Sequence, residues 1–145
     1  MKNQPIFNWD EEAGVASCIF SDGEKVYTGF AQCHPDDMDM SSEKTGCEIA
    51  LRRAKINALR GYRDELKTAL KTLNQLYYSM NKSKRFNEKS YENKMLQRQI
   101  RQISFDLDTT KEMIAGEKLS LNAYIKSKDV FYVQTRKRRQ KANFN

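Results

Sequence analysis

Apolar and polar residues alternate along residues 14–33, and then change to a spacing of three and four that persists to about residue 125. The alternating stretch consists of two β-prone runs separated by Asp22-Gly23. Asp-Gly between such runs predicts a β-hairpin, because glycine accepts the positive φ that a tight turn demands. Alternation puts Val26, Thr28 and Phe30 on one face of the second strand and Tyr27 and Gly29 on the other, so one face is expected to pack on helix. Residues 34–42 predict a loop: Pro35 stops a central strand, and Asp36, Asp37 and Asp39 favour turns.

The longer period begins after Ser41 and Ser42, whose hydroxyls suit a helix N-cap, with Glu43 favoured by the helix dipole. Ile49, Ile56, Leu59, Tyr62, Leu66, Leu70, Leu73, Tyr77 and Met80 form one stripe of a long helix. A helix from about residue 42 to 80 would measure roughly 60 Å, whereas a compact chain of this length has a radius of gyration of about 15 Å. Such a helix must kink, protrude or pack in an oligomer, and Gly61 is the expected hinge. Residues 81–90 read as a turn. A second helix follows with Met95, Ile100, Ile103, Leu107 and Met113 or Ile114, and continues past Gly116 through Leu121 to Ile125.

The β-branched and aromatic run over 129–135 predicts a late strand added to the hairpin. The expected fold class is therefore α+β, a small antiparallel sheet with a long, kinked antiparallel helical hairpin. One domain is expected over 1–145: hairpin and acidic loop (1–40), helical hairpin (41–126), strand and basic tail (127–145).

Charge changes this picture more than bulk composition does. The chain of 145 residues has a net charge of +7, but residues 1–50 sum to −7 and residues 51–145 to +14. The halves attract each other, within one chain or between subunits, and the basic half offers a surface to an anionic ligand. A mean hydropathy of −0.84, with no apolar run near the ~18 residues of a membrane span, predicts a soluble protein. The N-terminus shows no export signal. Cys18, Cys33 and Cys47 match neither a zinc ribbon nor a redox pair, and read as buried, reduced thiols.

Five basic residues crowd into six positions at the end of the chain: Arg136, Lys137, Arg138, Arg139 and Lys141. Guanidinium forks match phosphate oxygens, and neighbouring aromatic rings stack on bases. Arg136, Arg138 and Arg139 are thus candidate phosphate ligands, Tyr132 or Phe86 a stacking partner, and Arg53 a contributor from the first helix. The same tail also suits docking onto the acidic N-terminal half, or simple solubility. His34 with Asp36, Asp37 and Asp39 invites a metal reading, and Asp37, Asp39, Ser41, Thr45 and Glu48 fall at calcium-loop intervals. Ser42 stands where that loop needs glycine, however, and no helix precedes it. Cys33 and His34 are adjacent on a strand and point to opposite faces, which disfavours a nucleophile–base pair. No metal, cofactor or catalytic residue is assigned, and the chain is read as a non-enzyme.

Two resemblances sharpen this reading. The stretch Tyr27-Thr-Gly29-Phe-Ala31-Gln-Cys33-His-Pro35-Asp-Asp37, with Gly46-Cys-Glu-Ile49-Ala50-Leu-Arg-Arg53-Ala54, resembles a small phage and bacterial domain likened to double-stranded-RNA-binding domains. It spans about residues 25–60. The whole layout, N-terminal strands, a long helical pair and a basic end, resembles the phage Thoeris anti-defence family. That resemblance implies a homo-oligomeric sponge in the host cytoplasm, which binds a cyclic ADP-ribose isomer at subunit contacts without cleaving it and so silences an immune messenger. The alternatives are an RNA- or DNA-binding protein using the basic face, and an inhibitor that engages a host protein through the helical hairpin.

Overall fold

A computed structural model describes residues 4–33, 42–82 and 90–128, and the backbone of Tyr132 and Val133. Three strands come first: β1 (Ile6–Asp10), β2 (Val15–Ser21) and β3 (Val26–Cys33). Two long helices follow, α1 (Glu43–Asn81) and α2 (Tyr91–Ser127), and then the two-residue strand β4 (Tyr132–Val133). The fold is α+β, an antiparallel sheet in the order β1-β2-β3-β4 with a helical hairpin.

The expected hairpin forms between β2 and β3, with Cys18 opposite Gly29 and Ser21 opposite Val26. Asp22-Gly23 opens its loop. The Asp22 carboxylate accepts the backbone N–H groups of Lys25 at 2.8 Å and Glu24 at 2.9 Å, and these bonds lower its pKa. Gly23 takes a φ of +102°, the region that glycine alone enters at little cost. β1 was not expected as a strand. It pairs with β2, Trp9 lying opposite Ala16, and five residues ending at Asp10 give no alternation long enough to announce it. β4 pairs with β3 through Tyr132 opposite Cys33, so a C-terminal strand does join the sheet.

Contacts divide the chain into two compact units, Met1–Ala58 with Ala115–Asn145, and Leu59–Ile114. In the first, the sheet face carrying Ala16, Cys18, Gly29, Ala31 and Cys33 is buried, and α1 lays Ile49, Ala50 and Ala54 against it. These side chains are small, so strand and helix backbones come close. The other sheet face leaves Ile6, Ile19, Val26 and Phe30 exposed. Ser42 caps α1: its Oγ accepts the Thr45 N–H at 3.3 Å and its carbonyl the Gly46 N–H at 2.8 Å. From the end of α2, Leu121 is buried, and the Ser120 hydroxyl accepts from Arg52 at 3.1 Å.

In the second unit α1 runs unbroken past Gly61 as one helix, rather than ending at the expected hinge. α2 is capped by Ser90, whose Oγ accepts the Asn93 N–H at 3.2 Å. Leu66, Leu96, Leu107 and Ile114 are buried here. Asn93 is fully buried and accepts from Gln97 at 2.9 Å, and Gln97 also reaches the Tyr77 hydroxyl at 3.5 Å. Of the pair left open by periodicity, Ile114 enters the core and Met113 stays exposed. Tyr62, expected in the stripe, is 47% exposed.

Candidate functional site

The concave feature of the second unit is a shallow groove of about 500 Å³ along α1, walled by Lys67, Leu70, Lys71, Asn74, Gln75 and Tyr78, with Leu107 of α2. Its α1 residues recur at intervals that keep them on one side of the helix. Leu107 is buried and Leu70 half-buried, which gives the groove an apolar floor.

Lys67 and Lys71 stand one helical turn apart. Like charges at that spacing repel by roughly 0.2–0.5 kcal/mol, a cost that an anion between them would reverse. Among the described residues neither lysine is paired with a carboxylate. Tyr78 is exposed, and the Lys82 ammonium sits 4.4 Å from the centre of its ring. Asn74 and Gln75 add amide donors and acceptors between the cations and the ring. Two cations, two amides, an aromatic face and an apolar floor are the groups that a phosphorylated nucleoside needs, and the volume lies in the range of small-ligand sites.

The sequence-predicted residues fall elsewhere. Arg53 is buried at 5% exposure and its Nη1 donates to the Phe30 carbonyl at 2.8 Å, tying α1 to β3. Tyr132 lies in β4, described by its backbone alone. Phe86, Arg136, Arg138 and Arg139 lie outside the described residues, as do His34, Asp36, Asp37 and Asp39. Among the described residues no group of three or more His, Cys, Asp and Glu side chains could hold a metal ion, and no helix is long and apolar enough to cross a membrane.

A second cationic cluster lies in the first unit. The Arg52 guanidinium stacks 4.8 Å from the Tyr124 ring centre, and the Lys128 ammonium stands 5.4 Å from the same centre. Glu48 and Ser120 also hold Arg52, at 2.9 and 3.1 Å, so its donors are already engaged. The groove lysines are the more available pair. No protein-family model, curated protein or solved structure matches the chain.

Sequence reading missed the groove because its search for cations stopped at the tail. Lys67, Lys71 and Tyr78 share one face of α1, apart from the buried Leu66. That pattern was visible, but the concavity needs Leu107 from another helix.

Proposed function

We propose that this protein binds a small anionic nucleotide of the cyclic ADP-ribose type and retains it unchanged, withholding an immune messenger in a phage-infected host's cytoplasm. The groove carries the reading. Lys67 and Lys71 would take the pyrophosphate, the face of Tyr78 turned away from Lys82 would stack on adenine, and Asn74 and Gln75 would meet ribose hydroxyls. The layout of strands, helical pair and basic C-terminal segment, on which the anti-defence resemblance rests, supports the same reading. Arg136, Arg138 and Arg139 would add phosphate donors from the tail.

Calorimetry with a cyclic ADP-ribose isomer tests it. Lys67→Ala and Lys71→Ala should each weaken binding at least tenfold, and alanine at all three tail arginines should do the same. Unchanged affinity in the lysine variants would remove the groove from the site, and unchanged affinity in the tail variant would remove the arginines.

One observation favours a second reading. Arg60 and Arg63 continue the lysine series at helical spacing, and a row of cations along a helix suits a nucleic-acid backbone. Salt separates the two. Contacts to several phosphates make affinity fall steeply with ionic strength, whereas one pyrophosphate responds weakly.

A further inference from the structure

On the side of the second unit away from the groove, α1 carries an incompletely filled heptad seam. Leu59, Leu66, Leu73 and Met80 recur every seven residues, and Tyr62, Ala69 and Leu76 fill the alternate positions of the same repeat. The first series packs inward, with Leu66 buried and the others half-buried. The second does not: Tyr62 and Leu76 are 47% and 48% exposed. On α2, helical periodicity places Met95, Ile103 and Met113 on the corresponding side, and Met113 is 52% exposed.

This side is also short of charge. From Leu66 to Asn81 the charged residues of α1 are Lys67 and Lys71, both in the groove wall. On α2 the side carries Gln99, Gln102 and Asp106, and the Asp106 carboxylate accepts the Gln102 amide at 3.0 Å. Charged residues make up 31% of the chain, so the depletion marks a surface built to be covered.

We infer that the seam is covered by a second copy of this chain, two helical hairpins packing face to face about a two-fold axis as a four-helix layer. Among its described residues this unit buries four large apolar side chains, Leu66, Leu96, Leu107 and Ile114, a thin core for two helices of this length. A partner needed for that core must be present whenever the chain folds, and another copy always is. A nearly charge-free stripe suits self-association, because a two-fold axis brings no like charges together. The area also suffices. The seam from Tyr62 to Met80 is about 27 Å long at 1.5 Å per residue, and two helices side by side are roughly 20 Å wide. That gives on the order of 1,100 Å² over both copies, about the threshold for a specific interface.

Analytical ultracentrifugation of the full chain tests this independently of any nucleotide. The wild type should sediment at twice its 17.0 kDa, or a multiple of that, at tens of micromolar, and its melting temperature should rise with concentration. Tyr62→Glu with Leu76→Glu should weaken association at least tenfold, and the uncharged Leu76→Gln should shift it the same way if the double variant does not fold. Arg98→Ala, on the far side of α2, should leave the mass unchanged. A monomeric wild type, or Leu76 variants that associate as the wild type does, would overturn the inference.

Discussion

Gly29 of β3 meets the backbone of α1 so closely that a Cβ at position 29 would stand 2.5 Å from the Ala54 nitrogen, and closer still to the Ala50 carbonyl oxygen. Both obstacles are backbone, so no side chain can swing aside. Gly29→Ala must push the helix off the sheet, a form of overpacking that costs at least ~1–3 kcal/mol. Urea denaturation should show that loss. A variant within 0.5 kcal/mol of the wild type would mean that strand and helix are less tightly apposed.

Arg53 tests a structural role against a ligand role. Its guanidinium serves the Phe30 carbonyl from a buried position, and removing a buried partner costs ~1–3 kcal/mol. Arg53→Met should lower unfolding free energy by about that amount while the folded fraction keeps its nucleotide affinity. A loss of affinity without a loss of stability would return Arg53 to the ligand site.

The hairpin, the N-cap at Ser42 and both helical stripes were legible in the sequence, because each is set by residues a few positions apart. β1 was not, because Trp9 acquires its role only by pairing beside Ala16. Nor was the choice between Met113 and Ile114, one position apart on α2, since only the direction of the facing helix decides it. Of the candidate site, the cationic chemistry was readable from residue types. Its location was not, because Leu107 and the α1 wall meet only in three dimensions.

Cys18 predicts the alkaline limit of stability. Burial raises the pKa of its thiol above the ordinary value of 9.0, the neighbouring Cys47 raises it further, and Lys55 opposes them. Burial likewise raises Cys47, helped by Glu43. A group whose pKa is raised on folding contributes stability in full below its unfolded value, and loses it as pH climbs towards the folded one. Unfolding free energy should therefore fall above about pH 9, and Cys18→Ala should flatten that fall. Equal alkaline slopes for wild type and variant in denaturation series at rising pH would show that other groups set the limit.

The central claim is retention of an intact nucleotide, and recovery of the ligand tests it most directly. The purified protein is equilibrated with a cyclic ADP-ribose isomer, freed of excess by gel filtration, denatured by heat, and the released small molecules are weighed by mass spectrometry. The prediction is a near-stoichiometric release of the unaltered isomer by the wild type, sharply reduced when Lys67 and Lys71 are both alanine. Release of a hydrolysed product, or of no nucleotide at all, would contradict it.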